Sequence, residues 1–313
     1  MIIHKKTLAA IACGATCLPT IVHAQAVPDI QDTITRGSQI DDIIRDQDRI
    51  GPRLDGDGDE IDGEAGIYVL RVNEIFYVGG SYGVNYSENP LRTVDDVGGA
   101  FSVNLAATAG MQTRFAEAID LGVSATIGGT EYNELFAPSS RNINGAINIG
   151  TQIGQSPIYI GATGFGGFNY DMSFENGTGF YGGSASLSAA LPLGQRTVLR
   201  PVISVTRQWS ETEDNNSTSA VGAVSITHGI TNNFIVGASA SVTHSWFDDF
   251  FEDVTFVKRK DWQYSGGINA TYRLNENISV GAAAGYEKRD STFFLSEYDS
   301  FDASLTFSAR IRF

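Results

Sequence analysis

Thirteen residues at the end of the chain, Phe301 to Phe313, alternate without a break. Phe301, Ala303, Leu305, Phe307, Ala309, Ile311 and Phe313 fall on one parity, and Asp302, Ser304, Thr306, Ser308, Arg310 and Arg312 on the other. Side chains of a strand point to opposite faces in turn, so this segment has one apolar and one polar face. The pattern recurs: Phe101/Val103/Leu105/Ala107/Ala109, Ile119/Leu121/Val123/Ala125/Ile127, Phe234/Val236/Ala238/Ala240/Val242 and Tyr264/Ile268/Ala270/Tyr272/Leu274. It predicts twelve strands, at 75–87, 99–112, 119–132, 142–151, 158–170, 179–191, 198–209, 219–230, 234–246, 262–274, 278–290 and 300–313. The fourth to sixth are rich in glycine and alternate less cleanly. Repeated segments of this kind, apolar outward and polar inward, predict an all-β fold: a transmembrane antiparallel up-and-down β-barrel over residues 66–313.

The connections add independent information. Those after odd strands (88–98, 133–141, 171–178, 210–218, 247–261, 291–299) are longer than those after even strands (113–118, 152–157, 192–197, 231–233, 275–277). Outer-membrane barrels have short periplasmic turns and longer outer loops, which predicts periplasmic termini. Tyr86, Tyr132, Tyr170, Trp209, Trp246, Trp262 and Tyr286 sit at loop-side strand ends, and Phe76, Phe234, Tyr272 and Phe313 at turn-side ends. Aromatic rings prefer the headgroup level, so two girdles are expected. A soluble β-sandwich also alternates, but explains neither the sorted aromatics nor the loop lengths.

The start of the chain differs. His4, Lys5 and Lys6, the apolar run Leu8–Leu18 and Val22-His23-Ala24 predict a signal peptide over residues 1–24. Cys13 and Cys17 lie within it, and cleavage ahead of Cys13 as a lipoprotein is the lesser alternative. Losing Lys5 and Lys6 takes the formal charge from −15 to −17, which argues against nucleic acid as a partner. Residues 25–65 hold twelve acids and four arginines. Ser38 is placed to cap a short helix near 38–48 carrying Ile40, Ile43 and Ile44, too few to form a core, so the segment is expected to be a largely disordered periplasmic tether or docking element. Asp55, Asp57 and Asp59 have the spacing of a calcium loop, but Glu60 and Gly66 stand where that loop needs Gly and a bidentate Glu, so no metal is expected.

Candidate chemistry is sparse. His228 and His244 fall on the lipid-side parity, and His244 and Ser245 point to opposite faces, so they cannot act as a catalytic pair. No GxSxG pattern occurs, and neither an enzyme nor a cofactor is expected. The polar parity carries hydroxyls and amides: Ser81, Asn85, Ser102, Asn104, Ser124, Thr126, Asn142, Asn144, Ser184, Ser186, Gln263 and Asn269. Arg114, Arg200, Arg273, Arg310 and Arg312 share that parity at turn-side strand ends and are predicted to form a basic collar. Such a collar would attract anions or dock the acidic segment as a partial plug, unless the arginines pair with lumen carboxylates such as Asp120.

Gly66-Ile67, Tyr77-Val78-Gly79-Gly80, Tyr82, Asn85, Asn89-Pro90, Tyr272-Arg273-Leu274-Asn275 and Tyr286-Glu287-Lys288-Arg289-Asp290 resemble the proteobacterial β-barrel outer-membrane porin family, some members of which are linked to exopolysaccharide loci. The resemblance implies an outer-membrane barrel of a Gram-negative bacterium without known catalytic residues. A terminal strand ending in Phe313 resembles the signal read by the barrel assembly machinery. The expected function is a narrow pore for small polar or anionic solutes, saccharides among them. The alternatives are a structural barrel that recruits a periplasmic partner through residues 25–65 and, less favoured, an enzyme. Expected partners are outer-membrane lipid, lipopolysaccharide and the assembly machinery.

Overall fold

The computed structural model describes residues 76–92, 98–115, 119–134, 139–154, 156–171, 177–194, 196–211, 216–250, 258–293 and 296–313. The signal peptide, the acidic segment with its expected helix, and Asp55, Asp57 and Asp59 lie outside these residues. So does Gly66-Ile67. Among the described residues there is no α-helix.

The strands are β1 (Phe76–Ser87), β2 (Ala100–Phe115), β3 (Ile119–Tyr132), β4 (Ser140–Gln152), β5 (Ile158–Tyr170), β6 (Gly177–Ala189), β7 (Leu191–Pro192), β8 (Thr197–Ser210), β9 (Ser217–Gly229), β10 (Phe234–Phe250), β11 (Lys258–Arg273), β12 (Ile278–Ser291) and β13 (Tyr298–Arg312). The two-residue β7 continues β6: Ser188 opposes Val202, and after the gap Leu191 opposes Leu199 in the same register. At the gap Ala190 donates its N–H to Pro157 O at 3.0 Å. The described residues therefore form twelve staves, each antiparallel to its neighbours. β1 pairs β13 and β6 pairs β8, so the sheet closes and has no free edge. A spanning sheet in hydrocarbon must close in this way, because unpaired backbone groups cannot be satisfied by lipid.

The expected parity holds around the ring. Leu105, Ile203, Ile268 and Ile311 are at least 60% exposed, and Phe76, Val78, Ile127, Ile147, Leu305 and Phe307 also face outward. Lumen-facing Ser102, Ser204, Thr206, Ser219, Thr243, Gln263 and Thr306 are buried. This inverts a soluble protein, with the largest apolar side chains outside and hydroxyls within. Phe76 and Phe313 stack at 6.3 Å on the turn-side rim, and Phe234 meets Tyr272 at 6.5 Å. Tyr86–Phe101, Tyr181–Trp209 and Trp262–Tyr264 pack at 5.2, 5.4 and 6.5 Å on the loop side. Tyr132 departs from the girdle: it alternates with the outward Glu131 and faces inward, half-buried beside Arg92.

Several strands are longer than expected. β10 runs to Phe250 rather than 246, β11 begins at Lys258 rather than 262, and β13 begins at Tyr298 rather than 300. Past the aromatic girdle the outward side chains are charged (Lys258, Lys260, Asp299), so apolar alternation ends while backbone pairing continues, with Trp246 opposite Lys260. At ~3.3 Å per residue and a tilt of ~40°, a 17-residue strand rises roughly 40 Å, well beyond an apolar band of about 25 Å.

Candidate functional site: the barrel lumen

The lumen has three zones. The middle is neutral. β4, β5 and β6 turn only uncharged side chains inward: Asn142, Asn144, Asn148, Thr163, Asn169, Ser184, Ser186 and Ser188, with Tyr159 and Phe165 between them. Hydroxyls bridge neighbouring strands. Thr108 meets Thr126 at 2.9 Å, Ser241 meets Ser265 at 2.8 Å, and Thr163 Oγ1 donates to Asn148 Oδ1 at 2.7 Å. Asn104 Oδ1, Asn144 Oδ1, Ser204 Oγ, Gln208 Oε1 and Ser304 Oγ are buried and make no hydrogen bond among the described residues. Leaving such a group unsatisfied costs about 1–3 kcal/mol.

The turn-side zone is basic. The register sets Arg312 opposite Tyr77 and Arg310 opposite Gly79, one strand from the barrel's closing seam at Phe76. Arg273 opposes Ser279, and Arg200 opposes Ser225. Arg310 lies over the Tyr77 ring at 3.9 Å, a cation–π contact. A cleft of about 100 Å³ beside it is lined by Tyr77, Gly79, Ser81, Thr108 and Arg310. Gly79 is required there, because a Cβ would meet Ala309 O at 2.9 Å. The backbone of Arg114 sits directly opposite Asp120.

The loop-side zone is an ion network that the apolar pattern does not announce. In the turn Asn89-Pro90-Leu91-Arg92, Arg92 N–H donates to Asn89 O at 3.1 Å, and Arg92 itself has φ of 50°. Such a backbone is uncommon for a residue with a side chain. Here it aims Arg92 into the lumen, where its guanidinium donates to Glu287 at 2.8 Å and to Asp302 at 3.1 Å. Tyr298 donates its hydroxyl to Glu287. Burial works against the Arg92 charge, but Glu287, Tyr298 and Asp302 outweigh it and raise its pKa further. Beside this group Arg259 Nε donates to both Asp261 oxygens at 2.9 Å, Ser291 donates to Asp261 at 2.6 Å, and Arg289 donates to Gln263 at 3.2 Å. Three guanidiniums thus face three carboxylates. The signal was present as charges on the inward parity of β11–β13, Arg259/Asp261, Glu287/Arg289 and Asp302, beyond the point where the apolar faces end.

His244 and Ser245 are split as expected. His244 stacks on Trp262 outside at 4.1 Å, while Ser245 shares a hydrogen bond of 2.8 Å with Ser219. His228 is exposed on the outward face and lies 2.8 Å from Thr197. Among the described residues no cluster of His, Cys, Asp or Glu could hold a metal ion.

Comparison with known proteins agrees with this geometry. The outer membrane channel from Pseudomonas putida F1 superposes with a TM-score of 0.54 at 10% identity, over 80% of this chain and all of that one. The NanC porin aligns over 75% of this chain and all of its own at 10% identity, with a TM-score of 0.43. The first of these likenesses is one of fold alone, and the second falls below the level that supports even that. No curated protein matches the chain. Residues 196–311, which run from the turn before β8 almost to the end of β13, match the model of a porin family described as "Putative beta-barrel porin 2". Over the described residues the chain is therefore a closed, twelve-staved antiparallel β-barrel of which residues 196–311 match that porin family.

Proposed function

We propose that the barrel is a water-filled outer-membrane pore for small polar or anionic solutes, saccharides among them. The observation that carries this reading is the lumen wall: a closed ring with hydroxyls and amides inside and the large apolar side chains outside. Twelve staves lie between the eight at which side chains fill a barrel and the ~16 at which a wide aqueous channel opens. The neutral arc of β4–β6 offers hydrogen bonds and ring faces suited to sugars, and the turn-side arginines favour anions.

The short turns and both barrel ends share one rim, which we place in the periplasm. There Phe313, 64% exposed, is available to the assembly machinery. The opposite rim carries outward Lys258 and Lys260 beyond the Trp262 level, and Lys288 opposite Tyr264, in position for lipopolysaccharide phosphates. Catalysis has no part in this reading. Reversal potentials across a salt gradient test the anion preference. With Arg273→Glu and Arg310→Glu the preference should fall or invert. Unchanged selectivity would overturn the role given to these arginines.

A further inference from the structure

We propose that β4–β6 carry a subsite for one ring of an uncharged saccharide chain, with Phe165 as its floor and the row Asn148, Thr163 and Ser184 as its hydrogen-bonding edge. The subsite rests on the pore reading for its access and narrows the solute class that reading names.

Three observations carry it. The first is an aromatic ring in a wall of hydroxyls and amides. Phe165 stands on the inward parity of β5 with Thr163, between Ala146 on β4 and Gly182 on β6. A Cβ on Gly182 would come within 2.6 Å of Phe165 Cζ, so the ring lies down across the glycine backbone instead of standing up into the lumen. Ala146 adds only a methyl on the other side. The ring is half-buried: one face covers backbone and the other is presented to the lumen. The second is a polar row at a set distance. Two residues along β5, roughly 7 Å away, Asn148, Thr163 and Ser184 sit side by side on three strands. Thr163 Oγ1 donates to Asn148 Oδ1 at 2.7 Å, which holds the amide by its oxygen and keeps its N–H donors for a ligand. The third is access. Asn148 is exposed and Thr163, Phe165 and Ser184 are partly so, whereas inward Gln263, Thr271, Glu287 and Thr306 on β11–β13, across the ring of staves, are buried. Lumen water therefore reaches the β4–β6 wall.

A pyranose ring has C–H groups on its faces and hydroxyls round its edge. Its face matches the Phe165 ring and its edge matches the polar row, the division of a ligand site into apolar contact and a few placed polar groups. β4–β6 turn no charged side chain inward, so this wall has nothing to pair with a carboxylate or a phosphate. The saccharide segment that sits here is therefore uncharged.

The test records single channels of the chain from residue 25 onward with maltohexaose on one side. Two variants run beside it: Phe165→Leu keeps apolar bulk without the ring, and Phe165→Tyr keeps the ring. The unaltered pore should show current blocks whose dwell time falls roughly ten-fold in Phe165→Leu and returns in Phe165→Tyr. A polyethylene glycol of matching length has no ring faces, and its blocks should not depend on residue 165. Maltohexaose dwell times equal in the unaltered pore and Phe165→Leu, or polyethylene glycol dwell times that fall as far, would overturn the subsite and leave the pore standing. A second readout needs no conduction: saturation-transfer NMR of maltohexaose with the detergent-solubilised barrel. Transfer to the sugar C–H protons that is lost in Phe165→Leu would uphold the subsite even on a barrel that never conducts, and only the pore would then be rejected. No transfer from a conducting barrel would reject the subsite alone.

Discussion

Arg92 Nη1 stands 2.8 Å from Glu287 Oε1, a contact between the loop after β1 and strand β12, 195 residues further along the chain. The pair ties the first long loop to the last quarter of the wall, and Tyr298 and Asp302 complete the knot. Replacing one member of a buried ion pair strands the other, at a typical cost of 3–5 kcal/mol. Glu287→Ala should lower stability by about that much and free the loop around Arg92, which urea unfolding and limited proteolysis of that loop can follow. An unfolding midpoint equal to the parent's would show that the knot contributes nothing.

A sharper contrast lies on two neighbouring strands. Asp261 is buried in the lumen between Arg259 and Arg289, whereas Lys288 pairs with Asp290 on the outer surface with both side chains about half exposed. Asp261→Ala should cost several kcal/mol and Lys288→Ala less than about 1 kcal/mol, because exposed pairs are solvated and screened. Guanidinium titration of both variants decides the ranking.

Glycine is needed at some positions and spare at others. A Cβ on Gly110 would meet the Tyr77 ring at 2.5 Å and Val123 O at 2.6 Å, whereas nothing lies within 4 Å of one on Gly222. Gly110→Ala should destabilise by about 1–3 kcal/mol, since a backbone oxygen cannot move aside easily, and Gly222→Ala should be close to neutral. Equal unfolding midpoints for the two variants would contradict the placement of Tyr77 over Gly110.

The lipid face can be probed one residue from the lumen face. Leu105, 65% exposed on β2, points outward, and Asn104 beside it points inward. Leu105→Arg should cost about 2–4 kcal/mol near the bilayer midplane. Asn104→Arg should leave stability less affected and alter conductance instead. Folding into vesicles under a urea series separates the two. A larger loss from Asn104→Arg would reverse the assignment of faces.

The staves and their faces were legible because each position of a spanning strand must satisfy either lipid or lumen, and Phe301–Phe313 displays that choice residue by residue. Strand ends were not, because past Trp262 both faces of β11 carry charge and the two-residue period loses its contrast, as in Lys258-Arg259-Lys260-Asp261. The break at Ala190 was hidden in a run of small residues. The ion network was legible only in part. The inward parity of Glu287 and Arg289 can be read from Tyr286-Glu287-Lys288-Arg289-Asp290, but their meeting with Arg92 depends on a turn geometry and a barrel closure that no local pattern contains. Tyr132 faces inward because it is even-numbered on a strand whose apolar face, Ile119/Leu121/Val123/Ala125/Ile127, is odd, a parity that its place at a strand end obscures.

The central claim is that the lumen conducts. The most direct measurement is single-channel recording of the chain from residue 25 onward in a planar bilayer. Discrete, ohmic steps with an anion preference that fades in the Arg273→Glu, Arg310→Glu variant are the predicted result. A barrel that folds and resists urea, yet holds a silent baseline at every voltage, would contradict it.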